Sequence, residues 1–360
     1  MKVLLTGHLG YIGTVLAPRL LERGHDVSGL DSDLYGECTF TGAVTMLPSM
    51  GCDVRHFVKQ PDAVNKLAGF DAVLHLAGLS NDPLGDYQPG LTRQINGWAS
   101  GELARLAKSA GVPRFVFASS CSNYGASGVA FVTEEGVLNP VTPYGVSKVE
   151  AEQSIRALAD DSFSPTLLRA STAYGLSPRL RFDLVVNNLT AWACTTGDVR
   201  LKSDGMAWRP LVHVEDIALA YVAAVEAPRQ DVHLGVFNVG QTSENYQIRE
   251  VADLVRSIVP NSRITFSNEV GADIRNYRVD CNHISRVLHG FKPQWTVRRG
   301  IEQLYEAFCT ARLSVEDFEG PRFKRIAHVK SRIDAGELDE RLFRIDGPAG
   351  RNGSNAFATA

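Results

Sequence analysis

The sequence lacks the features that mark membrane-spanning and nucleic-acid-binding proteins. Within its 360 residues, no apolar run approaches the roughly 18 residues needed to cross a bilayer. The 37 basic and 40 acidic residues leave a formal net charge of −3, whereas a nucleic-acid-binding surface needs a clustered basic excess. We therefore expect no membrane and no nucleic acid as partner, and a small molecule as ligand.

The six cysteines form no pattern of a disulfide framework or a metal site. They lie far apart, without a C-x-x-C pair and without histidines at metal-ligand spacing. We interpret them as reduced, mostly buried thiols and predict no metal. A strand-like run begins at Lys2, which leaves no room for the basic and apolar regions of a signal peptide, so we expect a cytoplasmic location.

Apolar runs alternate with helical patterns through the first two-thirds of the chain. The runs KVLLT, DVSGLD, DAVLHLAG, RFVFASS and SPTLLRAS are typical of buried strands, and helical patterns lie between them. This alternation predicts an α/β fold with a doubly wound parallel sheet of the Rossmann type. After about residue 174 the pattern loosens, which predicts a smaller C-terminal α/β lobe.

These patterns divide the chain into three parts. Residues 1–174 are expected to form a dinucleotide-binding domain, and residues 175–312 mainly a substrate-binding lobe that partly returns to the main sheet. Residues 313–360 begin as a charged stretch, for which we predict a helix on the surface. They end in GPAGRNGSNAFATA, a composition typical of a disordered tail.

A glycine-rich loop, TGHLGYIG, joins the first predicted strand to the first predicted helix. Gly7, Gly10 and Gly13 have the spacing G-x-x-G-x-x-G, which permits a sharp turn, close approach of a pyrophosphate to the backbone, and packing of the helix on the strand. The N–H groups at the start of the helix then bind the pyrophosphate. We expect Tyr11 and Ile12, between the last two glycines, to contact the cofactor too.

Two aspartates follow the glycine loop at predicted strand ends. Asp31 ends the second strand, where a carboxylate can accept hydrogen bonds from both ribose hydroxyls of an adenosine and would repel the 2′-phosphate of NADP. This favours NAD as the cofactor. Asp53 ends the probable position of the third strand, where an adenine edge would lie beside Val54, although Asp53 could equally form a turn.

The stretch TPYGVSKVE places Tyr144 four residues before Lys148, so both side chains share one face of a helix. An ammonium group beside a phenol stabilises the phenolate and moves its pKa from near 10 toward neutral pH. A tyrosine tuned in this way is a general acid/base for a hydroxyl group. Ser119 and Ser120 end the strand RFVFASS, and a serine there could hydrogen-bond the substrate oxygen.

In combination, the motifs TGHLGYIG, DAVLHLAG, SSCSNYG, YGVSK and RPLVHVED resemble those of the extended short-chain dehydrogenase/reductase family, the NAD-dependent nucleotide-sugar epimerases and dehydratases. The resemblance covers about Met1 to Phe308. It implies a Ser-Tyr-Lys constellation in which Ser120 matches the family serine, with Ser119 as the alternative. It also implies a homodimer that pairs through the helices at about 91–110 and 144–159.

The resemblance implies further cofactor contacts. Leu76, Ala77 and Gly78 lie in VLHLAG after the fourth strand, and Asn96 in RQINGW matches the family asparagine of the helix beneath the site. For Asn96, helix packing with a satisfied amide is the open alternative. His75 also matches the family, and we interpret it as a core residue of the strand.

For the substrate, the resemblance implies a nucleotide-diphosphate sugar. Arg209 in AWRPLVHVED and Arg278 in RNYRVD are the predicted diphosphate contacts, since the planar guanidinium offers paired donors. Arg275 is the alternative to Arg278. Asn187 in VVNNL resembles a family substrate contact, and its neighbour Asn188 could serve equally.

Two residues bear on the sugar pocket. Ser80 follows the fourth strand and is predicted to line the pocket or to cap a turn. Thr172 stands in STAYG, where many relatives have an asparagine. Because a hydroxyl replaces an amide there, the sugar pose need not follow the galactose epimerase pattern, and we assign no particular sugar.

The residues beside Ser120 bear on the reaction. Family dehydratases have Asp-Glu after the equivalent residue, whereas this chain has Cys121 and Ser122. Elimination thus lacks its acid and base, and Cys121 is one position earlier than the catalytic cysteine of fucose-synthase-type relatives. We predict a 4-epimerase-like reaction with transient hydride transfer to NAD and return to the opposite face of a keto sugar. Alternatives are an NDP-sugar dehydratase, a dehydrogenase/reductase, or a non-catalytic NAD-binding sensor, which retention of Tyr144 and Lys148 disfavours.

Overall fold

Parallel strands form the central layer of the protein. The computed structural model describes residues 1–80, 82–266 and 275–345. The strands in these ranges are β1 (Lys2–Thr6), β2 (Asp26–Leu30), β3 (Ser49–Met50), β4 (Ala72–His75), β5 (Arg114–Ser120), β6 (Phe131–Val132), β7 (Ser164–Ala170), β8 (Thr172–Tyr174), β9 (Asp198–Leu201), β10 (Trp208–His213), β11 (Val236–Val239), β12 (Asn245–Gln247), β13 (Arg263–Phe266) and β14 (Arg278–Val279).

Helices cover both faces of this layer. They are α1 (Gly13–Glu22), α2 (Val54–Phe57), α3 (Ala63–Leu67), α4 (Asp82–Tyr87), α5 (Pro89–Thr92), α6 (Ala99–Ser109), α7 (Pro143–Arg156), α8 (Val185–Thr196), α9 (Val214–Glu226), α10 (Arg229–Val232), α11 (Ile248–Ile258), α12 (Asn282–Val287), α13 (Val297–Ala311), α14 (Val315–Glu319) and α15 (Arg325–Asp334). A π-helical segment, Arg93–Trp98, joins α5 to α6, and short 3₁₀ turns occupy Cys121–Tyr124 and Thr242–Glu244. Across the described ranges, no helix combines the length and apolarity that a membrane span requires.

Seven parallel strands form the main sheet in the order β11-β7-β5-β4-β1-β2-β3. Side chains alternate between its two faces, as the period of a strand requires. Val3 and Leu5 of β1 enter the core beneath α1 and α9, whereas Leu4 enters the core beneath α3 and α6. The α/β fold with a doubly wound parallel sheet is thus confirmed.

Smaller sheets accompany the main one, built mostly from the second half of the chain together with β6 and β8. They have the strand orders β12-β10-β8, β13-β9 and β14-β6. β11 comes from this half of the chain yet pairs with β7 at the edge of the main sheet. The division of the chain at residue 174 stays a proposal, because β11 lies beyond this residue and still belongs to the main sheet.

The charged stretch after residue 313 differs from a helix that merely lies on the surface. Phe318 of α14 packs against Phe182 and Trp192, with ring centroids 5.5 and 5.2 Å apart respectively. Phe323 and Val329 are also buried. Apolar residues spaced along the charged sequence anchor it to the body of the protein. The predicted disordered tail, residues 347–360, lies outside the described residues.

A buried ion pair fixes α7 to the main sheet. The guanidinium of Arg169, on β7, donates to both carboxylate oxygens of Glu152, on α7, at 2.9 and 2.7 Å. Their side chains are 4% and 3% exposed. Ser119 and Asn123 also donate to Glu152. Since α7 carries the Tyr144–Lys148 motif, this pair holds the motif against the sheet.

Substitution of Glu152 by Gln is expected to lower the free energy of unfolding by about 3–5 kcal/mol, because Arg169 would stay buried without a counter-charge. Urea denaturation measures this change. The control is Glu150→Gln on the same helix, whose partner Arg93 is 61% exposed and whose loss is expected to cost less than about 1 kcal/mol. Equal losses for the two variants would contradict the argument.

Candidate functional site

A cavity of ≈ 700 Å³ opens at the carboxyl ends of the main-sheet strands. Loops after β1, β2, β4, β5 and β7 contribute to its walls. In doubly wound sheets this edge is where ligands bind. Most of the predicted cofactor residues line it: Gly7, Gly10, Tyr11, Ile12, Gly13, Asp31, Asp53, Val54, Leu76, Ala77 and Gly78.

The glycine loop has no room for side chains. A Cβ added to Gly13 would lie 2.2 Å from the carbonyl oxygen of Gly7, and one added to Gly7 would lie 2.7 Å from the backbone nitrogen of Ala77. Gly7 also has a φ of 73°, which favours glycine. The loop therefore brings backbone, rather than side chains, to the cavity at the start of α1, as a diphosphate site requires.

The two aspartates are held in place by backbone N–H groups. Asp31 accepts hydrogen bonds from the N–H of Leu9 at 3.0 Å and of Asp33 at 2.8 Å. Asp53 caps α2, accepting from the N–H of Arg55 at 2.7 Å and pairing with its guanidinium at 2.8 Å. The turn-forming role weighed for Asp53 is present in the structure, while the residue still lines the cavity.

Tyr144 and Lys148 meet at one wall of the cavity. Thr142 caps α7 by accepting from the N–H of Gly145 at 3.1 Å, so the helix begins just before the tyrosine. The Lys148 Nζ lies 5.7 Å from the centroid of the Tyr144 ring and donates to the carbonyl oxygen of Ala118 at 2.8 Å. The arrangement puts the ammonium group on the same side as the phenol.

Burial changes the protonation of Lys148. Its side chain is 3% exposed, and burial lowers its pKa from 10.5 to about 8, an effect that Glu152 partly offsets. Lys148 in turn contributes, after burial itself, to lowering the pKa of His75 to about 3. His75 is a core residue whose ring nitrogens bond the hydroxyls of Thr6 and Ser100.

The structure separates the two candidate serines. Both serines line the cavity, but Ser120 accepts from the N–H of Ser122 at 3.1 Å, while the hydroxyl of Ser119 donates to buried Glu152. The hydroxyl of Ser119 is therefore part of the hydrogen-bond network around Glu152 that holds α7. The assignment of Ser120 as the family serine stays a prediction, favoured by this difference in partners.

Cys121 points away from the cavity. Its thiol donates to the carbonyl oxygen of Arg169 at 3.2 Å, and it packs with Tyr124, Tyr277 and Cys281 in a separate small core. Burial raises the pKa of this thiol well above its usual value. Cys121 has neither the access nor the ionisation that catalysis by a thiolate requires.

Asn96 supports the cavity wall from behind. Its amide oxygen accepts from the N–H of Leu79 at 2.8 Å, and its amide nitrogen donates to the carbonyl oxygen of Leu79 at 2.9 Å and to the hydroxyl of Ser147 at 3.2 Å. It does not line the cavity. The packing alternative describes it better than direct cofactor contact.

Of the predicted substrate residues, Ser80, Ser120, Thr172 and Arg209 line the cavity, and Asn187 and Arg278 do not. Asn187 is fully buried and bonds the N–H of Gly175 at 3.0 Å and the carbonyl oxygen of Arg181 at 2.9 Å. It holds the loop after β8, and Asn188 faces the cavity in its place.

The guanidinium of Arg278 packs against two aromatic rings. It lies 3.9 Å from the ring centroid of Phe131 and 4.4 Å from that of Trp208. Arg275, the alternative, lines the cavity. Arg278 is thus held by these two rings and does not line the cavity.

Sequence reasoning missed a buried arginine in the loop after β8. Arg181 lines the cavity, donates to the hydroxyl and the carbonyl oxygen of Ser80 at 3.0 and 2.9 Å, and pairs with Asp183 at 2.6 Å. Its charge also interacts with Tyr144. The available signal was the run RLRFD after a strand end, which alone does not say which arginine turns inward.

The described residues hold no cluster of three or more histidine, cysteine or acidic side chains placed for a metal ion. The cavity is instead lined by the backbone of the glycine loop, by the carboxylate of Asp31 at the end of β2, and by Ser120, Tyr144 and Lys148. This combination is typical of a dinucleotide-dependent enzyme.

Comparison with known proteins identifies the family. Residues 3–240 match the NAD dependent epimerase/dehydratase family, and the chain belongs to this family of enzymes. The resemblance inferred from the motifs is confirmed. NAD is the cofactor, and the crowded glycine loop with Asp31 at the end of β2 fits it.

Among individual proteins, the chain is similar to a UDP-glucose 4-epimerase from Corynebacterium glutamicum, which is 30% identical over 271 residues, 72% of this chain and 80% of that protein. It is similar to UDP-glucuronic acid decarboxylase 1 from Arabidopsis thaliana, 25% identical, with 89% and 72% of the two chains covered. A solved structure of MoeE5 in complex with UDP-glucuronic acid and NAD gives a TM-score of 0.74 at 26% identity, covering 86% of this chain and 100% of that one. These relatives differ in reaction, so the family is shown and the individual activity is not.

The lowered pKa of Lys148 gives stability a pH dependence. Between about pH 8 and 10.5 the unfolded state binds a proton at this residue that the folded state does not, so the free energy of unfolding rises with pH, by about 3 kcal/mol in total. Below pH 8 the free-energy cost of burying the protonated Lys148 does not change with pH. Relative to Lys148→Met, which lacks this titration, the wild-type protein should therefore gain stability across that interval.

Urea denaturation at pH 7, 8.5 and 10 measures the difference between the two proteins. Lys66→Met is the matched control, since Lys66 is 40% exposed and its loss should leave the pH dependence unchanged. If the difference in free energy of unfolding between the wild type and Lys148→Met does not change with pH, the lowered pKa of Lys148 is contradicted.

Proposed function

We propose that this protein is an NAD-dependent epimerase of nucleotide-diphosphate sugars that inverts carbon 4 through a keto-sugar intermediate. The observation that carries the proposal is the Tyr144–Lys148 pair at the wall of the dinucleotide cavity beside Ser120. A phenol, an ammonium and a hydroxyl suffice to exchange a proton with a sugar hydroxyl.

Each of these residues has a distinct role. Tyr144 removes the proton from the sugar hydroxyl and later returns it, while the Lys148 charge stabilises the phenolate form. Ser120 hydrogen-bonds the same substrate oxygen. When bound, NAD supplies the acceptor for the carbon-bound hydride and gives the hydride back. Because hydride and proton both return to the sugar, the net reaction is redox-neutral.

The residues after Ser120 favour epimerisation over elimination. Elimination needs an additional acid and base near the sugar, whereas Cys121 is buried in a separate core and Ser122 carries a hydroxyl. The nearby carboxylate of Asp183 is paired with Arg181 at 2.6 Å. An NDP-sugar dehydratase and a dehydrogenase/reductase remain the alternatives within the family.

Basic residues of the smaller lobe support a nucleotide-diphosphate sugar as substrate. Arg200, Lys202, Arg209 and Arg275 all line the cavity. Guanidinium groups suit a diphosphate, since they offer paired donors and a charge that is always present. The solved MoeE5 complexes contain UDP-glucose and UDP-glucuronic acid. We assign the same class of ligand to this protein, and the cytoplasmic homodimer stays a prediction.

Incubation with a panel of nucleotide sugars in deuterated water tests the mechanism. Hydride return should give an epimer without solvent deuterium at carbon, detected by mass spectrometry and NMR. Deuterium at carbon would contradict the proposal and indicate a carbanion at carbon 3 or 5. A product lighter by one water would indicate a dehydratase.

Substitution of Tyr144 by Phe removes the proton-transferring hydroxyl and is expected to lower kcat at least about 100-fold, with bound NAD retained. Turnover assays and mass spectrometry of the purified protein measure the two quantities. Tyr305→Phe, on α13 outside the cavity, is the control with unchanged kcat. Full activity of Tyr144→Phe would remove this residue from the mechanism.

Replacing Cys121 by Ala separates hydride return from thiol-dependent epimerisation. Since the thiol is buried away from the cavity, kcat should change less than about threefold, with a stability loss of about 1 kcal/mol from the small cavity created. Turnover assays and urea denaturation provide the two measurements. A loss of turnover as large as that of Tyr144→Phe would show that the thiol takes part.

A further inference from the structure

The chain is longer than the part of it that matches a solved relative. MoeE5 is matched over 100% of its own length yet covers 86% of this chain, which leaves about 50 of the 360 residues unmatched. The stretch from residue 313 to the end is of this length. We name its described part, residues 313–345, the C-terminal extension.

The extension contacts the adenosine side of the cavity. Arg332 donates to the carbonyl oxygen of Leu34 at 2.8 Å, and Arg344 to that of Ser32 at 3.1 Å, both in the loop after β2. Phe343 stacks on His56 of α2, with ring centroids 4.0 Å apart. The loop after β2 and α2 are the elements that begin at Asp31 and Asp53. The extension thus covers the half of the cavity assigned to adenosine.

The N-terminus of α15 faces the cavity. Lys324, Arg325 and Ile326 line it, and this ten-residue helix has no side-chain cap and no acidic residue in its first turn. The N–H groups of an uncapped first turn and the helix dipole favour an anion. Lys324 is already paired with Glu319 at 3.0 Å.

Arg325 is a buried cation with a donor left unsatisfied by the protein. It is 5% exposed, and among the described residues its Nε has no hydrogen-bond partner. Its guanidinium lies 3.6 Å from the centroid of the Tyr35 ring and donates to the carbonyl oxygen of Arg179 at 3.3 Å. Burial and the neighbouring Arg181 lower its pKa, an effect that Tyr35 and Asp183 partly offset. A buried charge in this condition is stabilised by a bound anion.

The neighbours of Arg325 locate the anion along the cavity. Tyr35 belongs to the loop after β2, on the adenosine side, whereas Arg181 bonds Ser80 and interacts with Tyr144, on the reacting side. The diphosphate of a dinucleotide lies between its two nucleosides. We propose that the C-terminal extension completes the cofactor site, with Arg325 and the first turn of α15 binding the NAD diphosphate opposite the glycine loop.

The diphosphate of the sugar nucleotide is the other source of the same chemistry. Its predicted contact Arg209 lies on β10 of a smaller sheet, whereas the extension contacts described above reach the loop after β2, α2 and the loop after β8. These contacts favour NAD. The inference rests on the family's cofactor and not on the proposed epimerisation, so either can fail alone.

Arg325→Gln in the full-length protein tests the assignment. Exchange of bound NAD against isotopically labelled NAD, followed by mass spectrometry, should be at least about tenfold faster than in the wild type, because one charge-assisted contact is lost. Arg325→Lys should lie between the two. Arg322→Gln is the matched control, since Arg322 belongs to the extension but donates to Thr39 outside the cavity and should leave the exchange rate unchanged.

Two further measurements separate the outcomes. The KM for the nucleotide sugar, measured with saturating NAD, should change less than twofold in Arg325→Gln. Unchanged NAD exchange would overturn the proposal, and a raised KM with unchanged exchange would assign Arg325 to the substrate diphosphate instead. Thermal unfolding shows whether each variant is folded. If Arg325→Gln does not fold, the comparison of Arg325→Lys with Arg322→Gln decides.

Discussion

The proposed chemistry of this protein depends on a lysine held, almost fully buried, beside a tyrosine. Lys148 keeps its position because its ammonium donates to the Ala118 carbonyl at 2.8 Å at the end of β5. The helix that carries both residues is fixed by the buried Glu152–Arg169 pair. Burial lowers the pKa of Lys148. Placing this charge next to the phenol therefore costs folding stability.

The parallel sheet explains why so many ligand-binding groups meet in one cavity. Each strand of the main sheet delivers its following loop to the same edge, so the glycine loop, Asp31, Ser120 and Tyr144 converge although they span more than a hundred residues. Buried polar groups behind this surface, such as Asn96 and Asn187, bond protein atoms and set the position of the wall.

Local patterns predicted the elements and several of the cavity residues, because strand and helix periods and the glycine spacing act over a few residues. RFVFASS became β5 with the predicted ends, and Tyr144 and Lys148 share a face as helical spacing requires. Local patterns gave no information where a long-range neighbour decides the position of a side chain. Arg278 stacks between Phe131 and Trp208, and Asn187 bonds the loop after β8, and neither partner is identifiable from local sequence.

The sequence by itself determined the fold class, the dinucleotide cradle and the tyrosine-lysine pair, since each follows from periodicity or from fixed short spacing. Only the tertiary structure decided that Ser119 bonds Glu152, that Cys121 faces a separate core, and that Arg181 and residues of the C-terminal extension line the cavity. The physical reason is that direction and burial are set by packing between segments far apart in the chain. The sequence of the charged stretch 313–345 predicts a solvated surface. In the structure its arginines instead bond carbonyl groups and pack on aromatic rings of distant segments.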